Sequence, residues 1–122
     1  MPQNQPVVTV LHNTACSTSR SALEAAESAG VATEIVQYLK HPLGRTELLS
    51  LIGKLEDPPA DLVRKDAYFR QLGLAAEDFV SPEAVTDLLA EHPRLMQRPV
   101  LVRGDRAIIG RPKDRVAPFL AG

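Results

Sequence analysis

A chain of 122 residues has room for one hydrophobic core and hardly for two, and with 44% hydrophobic and 24% charged residues it is too apolar to be disordered. Fourteen Lys and Arg against fifteen Asp and Glu give a net charge of −1, so no global charge excess recommends nucleic acid or an anionic membrane as a partner. One cysteine excludes an internal disulfide, no apolar run approaches the ~20 residues of a membrane span, and the leader MPQNQP lacks the features of a secretory signal, which together lead to the expectation of a reducing cytoplasm.

In chain order, VVTVL (Val7 to Leu11) is short and rich in β-branched residues, which predicts a buried strand. SRSALEAAESAG then predicts a helix. Ser21 and Glu24 are spaced as its capping box, a start nearer Ser17 is also open, and Gly30 is placed to stop it. VATEIVQYL (Val31 to Leu39) predicts a second strand, so the first 40 residues make a β-α-β unit with parallel strands and a right-handed crossover. After the turn KHPLGR, apolar positions 48, 49, 52 and 55 mark an amphipathic helix from Thr46. Pro58 and Pro59 break it and can open another at Ala60. Ser81 is the expected N-cap of a further helix, with Pro82 at its first position and Pro93 closing the segment. Pro99 to Arg103 and Arg106 to Gly110, joined by Gly104 and Asp105, predict a β-hairpin, and a short helix from Pro112 to Leu120 follows. The expectation is a single α/β domain over residues 1–122, made of a β-α-β half (7–40), a helical insertion (41–95) and a β-β-α half (96–122), with a small mixed sheet flanked by helices.

Cys16 stands out because it follows a strand and precedes a helix, where unpaired N–H groups and the helix dipole favour an anion such as a thiolate. A lone cysteine is often only a small buried hydrophobe, but the neighbours of this one are mostly polar. His12 and Arg20 lie near in sequence, an imidazolium at His12 would favour the ionised thiol, and Ser17, Thr18 and Ser19 could donate to sulfur or to an oxyanion. His41 and His92 precede prolines in turns and are read as structural; with one cysteine and three scattered histidines, no metal site has recognisable spacing. Arg64, Arg98 and Arg111 complete the candidates. Each alone is an ordinary surface charge, yet Arg98 and Arg111 precede prolines and so have restricted backbones. Gathered round Cys16, their planar forks would suit a tetrahedral oxyanion. Arg103 and Arg106 flank the hairpin turn and are read as solvating it.

The segments HNTACSTSR, EIVQYLKHPLGRTEL, DLVRK followed by RQLGL, EHPRLMQRPVLV and GRPKD together resemble the glutaredoxin-coupled arsenate reductases, in that family's order and from Val7 to Leu120. The resemblance implies a thioredoxin-like fold with a helical insertion. It implies that Cys16 is the nucleophile, that His12 helps ionise it, that Arg64, Arg98 and Arg111 bind the substrate oxyanion, and that Pro99 is a cis-proline beside the cysteine. It also implies arsenate as substrate, glutathione as co-substrate with no bound cofactor, and glutaredoxin as protein partner. RKDAYFRQLGL is one residue short of the usual pattern, which puts the placement of Arg64 in question. Two alternatives stand beside this reading. One is a relative acting on glutathione adducts or another oxyanion. The other is a regulatory binding module of the same fold, against which Ser19 counts because it replaces the second cysteine of a Cys-x-x-Cys switch.

Overall fold

A computed structural model describes residues 7–121 of the chain. Four strands, β1 (Val8–Leu11), β2 (Thr33–Val36), β3 (Val100–Arg103) and β4 (Arg106–Ile109), form one sheet in the order β2-β1-β3-β4. β1 is parallel to β2, whereas β3 is antiparallel to both β1 and β4. Helix α1 (Ser17–Ser28) makes the crossover between the parallel strands, and α5 (Val116–Ala121) follows the hairpin. Between these halves lie α2 (Arg45–Lys54), α3 (Ala67–Gln71) and α4 (Pro82–Glu91), joined by 3₁₀ turns. This is the thioredoxin-like arrangement, β-α-β then β-β-α, with a helical insertion.

The two-residue alternation of the strands divides the core. Val8, Val10, Leu101 and Ile108 face Ala22 and Ala26 of α1 and Val116, Phe119 and Leu120 of α5. Leu11, Val100, Ala107 and Ile109 face the opposite way, onto Leu48, Ile52, Val85 and Leu89 of the insertion. The insertion is therefore the second cover of the sheet. Its middle is also tied through the main chain to the segment that leads into β3. Arg64 N donates to Leu95 O at 2.6 Å, Gln97 N donates to Leu62 O at 2.7 Å, and Val63 and Met96 pair as an antiparallel bridge.

Several boundaries differ from the sequence expectation for local reasons. Helix α1 starts at Ser17 and not at the Ser21 capping box. Cys16 is the extended N-cap, and its carbonyl already accepts Arg20 N–H at 3.1 Å, so Ser21 and Glu24 lie inside the helix. The second strand ends at Val36 because Lys40 and His41 N–H groups both return to Gln37 O at 2.9 Å, placing Tyr38 in a turn. Pro59–Leu62 is a 3₁₀ turn, as is Lys113–Arg115 ahead of α5. Ser81 does cap α4, accepting Ala84 N–H at 3.2 Å, with Pro82 at its first position. The hairpin turns on Gly104 at φ +62°, a left-handed conformation that glycine adopts at no steric cost.

Arg103 and Arg106 do more than solvate that turn. Arg103 donates to Phe119 O at 3.2 Å and Leu120 O at 2.5 Å, fastening the end of α5. Arg106 forks onto Glu56 at 2.6 and 3.3 Å, joining the hairpin to the residues that follow α2. Neither arginine is among the groups that bond to Cys16 or act on its charge.

Candidate active site

The cysteine loop links β1 to α1 and is held almost entirely by its own polar groups. Asn13 Oδ1 accepts Ala15 N–H at 2.9 Å, Asn13 O accepts Cys16 N–H at 3.0 Å, and Arg20 Nη1 donates to Thr14 O at 2.7 Å. Inside the loop, the fully buried Ser19 hydroxyl accepts Asn13 N–H at 3.1 Å and meets His12 Nδ1 at 2.7 Å. Ser17 begins α1 on its exposed side. The loop thereby leaves Cys16 at the mouth of the helix, 7% exposed, with no oxygen-bearing N-cap side chain in competition for the first N–H groups.

Two of the three arginines reach the sulfur. Arg111 Nη2 donates to Cys16 Sγ at 3.2 Å, while its Nε donates to Arg98 O at 2.6 Å. The Arg98 guanidinium also lies against the thiol. The Arg98–Pro99 peptide is cis, and Pro99 O accepts Gly110 N–H at 2.8 Å. Arg64 stands farther out. Its main chain is fastened to Leu95 at the start of the shortened segment, and its Nε lies 3.7 Å from Asp66 Oδ2. It is not among the groups that set the thiol's charge, although it acts on Tyr38 together with Arg98.

Electrostatics on Cys16 oppose one another, and the balance favours the thiolate. Burial pushes the thiol up, but Ser19 N–H, the Arg98 guanidinium, the Arg111 charge and Thr18 N–H together hold it below its ordinary value. His12 is not one of these groups. Burial, and then the Arg20 charge, lower the imidazole's own pKa, so it is neutral at neutral pH. The imidazolium invoked from the sequence is therefore not the cation beside the thiol; the guanidiniums are. His12 instead braces Ser19.

Three residues not singled out in the sequence frame this site. Tyr38 is 1% exposed, and Asn13, Arg98 and Arg64 act on its hydroxyl. Asp57 accepts Ile109 N–H at 3.0 Å and Arg115 Nη1 at 2.8 Å, and the same nitrogen donates to Ile109 O at 2.9 Å and Arg111 O at 3.4 Å. Asp57 and Arg115 thus grip the backbone on both sides of Gly110 and hold the segment that delivers Arg111. Next to Arg111 opens a cleft of about 360 Å³ whose polar walls include Lys65, Gln97, Asp57 and Arg115. Among the described residues no three His, Cys, Asp or Glu side chains gather as metal ligands, and no helix is long and apolar enough to cross a membrane.

Fold and site define a thioredoxin-like protein with one thiol, set at a helix N-terminus between guanidinium groups. The chain belongs to the ArsC family, whose sequence profile matches residues 11–119. It is 34% identical over 117 residues to an arsenate reductase of Neisseria meningitidis serogroup A, covering 94% of this chain and 99% of that one. It is 35% identical over 114 residues to an arsenate reductase of Escherichia coli K12, covering 93% and 80% of the two chains. The structure of an arsenate reductase from Vibrio cholerae superposes with a TM-score of 0.83 at 31% identity, covering 94% of this chain and 98% of that one.

Proposed function

We propose that this chain is an arsenate reductase that draws its electrons from glutathione and glutaredoxin. The observation that carries the reading is the guanidinium of Arg111 on the Cys16 sulfur, with that of Arg98 alongside. A thiolate so placed is a nucleophile beside a ready-made anion site, and the names of the relatives supply arsenate as the anion.

In this scheme, Arg111 and Arg98 take up the charge on arsenate oxygens while Arg64 closes the outer side. Cys16 attacks arsenic, a sulfur–arsenic bond forms, and one oxygen leaves as water after protonation. Backbone N–H groups of Thr18 and Ser19, which favour the thiolate beforehand, face the reacting sulfur. Glutathione then displaces a second oxygen from the adduct, entering through the cleft beside Arg111. A glutaredoxin thiol attacks the glutathione sulfur, the two sulfurs become a mixed disulfide, and the electron pair of the broken sulfur–arsenic bond reduces As(V) to As(III), still held on Cys16. Water then hydrolyses the Cys16 sulfur–arsenic bond, releasing arsenite and restoring the thiol. With no second cysteine in the chain, both electrons must come from outside thiols. A reaction that draws on glutathione suits a reducing cytoplasm.

The test is arsenate-dependent NADPH consumption with glutathione, glutathione reductase and glutaredoxin, in wild type and Cys16→Ser. Wild-type turnover that vanishes in the variant is the expected result. No turnover above the variant rejects arsenate reduction, and turnover that persists without glutaredoxin rejects that partner.

A further inference from the structure

Two buried polar atoms near Cys16 lack hydrogen-bond partners, the Tyr38 hydroxyl and Arg98 Nε. Such orphans are uncommon, because a buried polar group without a partner forfeits its hydration uncompensated. Tyr38 is placed by the turn after β2, its ring buried in the core shared with the insertion.

The groups facing its hydroxyl are the Asn13 amide and the Arg98 and Arg64 guanidiniums, close enough to act on it but not in bonding geometry. Guanidinium groups only donate. Asn13 Oδ1 accepts Ala15 N–H at 2.9 Å and keeps a second lone pair, but it too forms no hydrogen bond with the hydroxyl. A neutral phenol here therefore confronts donors, and its own proton has no acceptor among the described residues. Burial pushes the phenol up against the opposing pulls of Asn13, Arg98 and Arg64, so Tyr38 keeps that proton at neutral pH. An anion drawn in by the two arginines would supply the missing acceptor.

We infer that the Tyr38 hydroxyl is a hydrogen-bond donor to the bound oxyanion, a further contact in the site whose other donors are Arg98, Arg111 and Arg64. This rests on the oxyanion site of the proposed function and adds to it a neutral donor, which can select between oxyanions by protonation state and size. A hydroxyl that donates to a charged oxygen contributes more than one bonded to a neutral group, so its removal should weaken binding about tenfold.

The test reads binding without turnover: protection of Cys16 from iodoacetamide by increasing arsenate or phosphate, in wild type and Tyr38→Phe. The phenylalanine keeps the ring and removes only an unpartnered hydroxyl, so the melting midpoint should hold or rise, whereas a purely structural hydrogen bond would lower it. The expected result is half-protection at about tenfold higher anion in Tyr38→Phe, with an unchanged pH profile of alkylation. Equal half-protection in the two proteins overturns the inference. So does a shift accompanied by an altered pH profile, because Tyr38 would then act through Arg98 and not on the anion. If neither anion protects the wild type, the oxyanion site itself falls and the inference with it, an outcome distinct from protection that is indifferent to Tyr38.

Discussion

Arg111 donates to the Cys16 sulfur at 3.2 Å although the two residues are 95 positions apart in the chain. Removing that charge should raise the thiol pKa. The rate of alkylation in wild type is expected to climb with pH through a midpoint below the ordinary thiol range of about 8.5, and Arg111→Ala should move the midpoint upward. An identical midpoint in the variant would assign the thiolate to the helix N-terminus and Arg98 alone.

His12 makes a prediction in acid. Its pKa is lowered in the fold, by burial first and the Arg20 charge second. Between the folded and unfolded values the unfolded chain binds the proton more readily, so stability rises with pH across that window. The contribution is complete above the unfolded value of about 6.5 and is lost as pH falls from there towards the folded one. Thermal melts over this range should give a falling midpoint in wild type and a flatter profile in His12→Asn, which keeps a polar group near Ser19. Parallel profiles would place the acid sensitivity elsewhere.

Asp57 holds Ile109 N–H and Arg115 without touching Cys16. Asp57→Ala strands a backbone donor and a partly buried guanidinium, so a loss of about 1–3 kcal/mol in urea denaturation is expected. Because the clamp also positions the segment carrying Arg111, the thiol pKa should rise in the same variant. A destabilised protein whose alkylation profile matches wild type would confine Asp57 to a structural role.

Gly110 lies where the hairpin meets the cis-proline. A Cβ there would stand 2.9 Å from Pro99 Cγ, 3.0 Å from Leu101 Cδ1 and 3.3 Å from Val116 Cγ2. Gly110→Ala should therefore cost about 1–3 kcal/mol through overpacking, seen as a lower urea midpoint at constant slope. An unshifted midpoint would mean that the proline ring yields freely.

Much of the fold was legible because its signals are local. β-branched runs mark β1 and β3, Ser81 and Pro82 open α4, and Gly104 with Asp105 closes the hairpin. The Ser21 capping box misled for the same reason: its spacing is a local signal, overridden by a helix whose first turn is already formed at Cys16. At the site, the position of Cys16 between strand and helix was readable, and Arg98 and Arg111 stood out by preceding prolines, before the family resemblance joined them with Arg64 to Cys16. The neutrality of His12 was not readable, since it comes from burial. Nor were Tyr38 and Asp57. Nothing in VQYLK says that the strand stops short and turns the tyrosine inward, and the Asp57–Arg115 pair spans 58 positions with no motif at either end.

Arg64 and Arg98 sit beside the same two-stranded seam, in which Leu62 and Arg64 exchange main-chain hydrogen bonds with Gln97 and Leu95. Backbone atoms, indifferent to side-chain identity, thus gauge the span between these two cations. A side-chain substitution in the insertion helices that leaves the seam paired therefore leaves the spacing of the two arginine main chains unchanged, so the outer cover of this protein can be altered without resetting the frame of its cations.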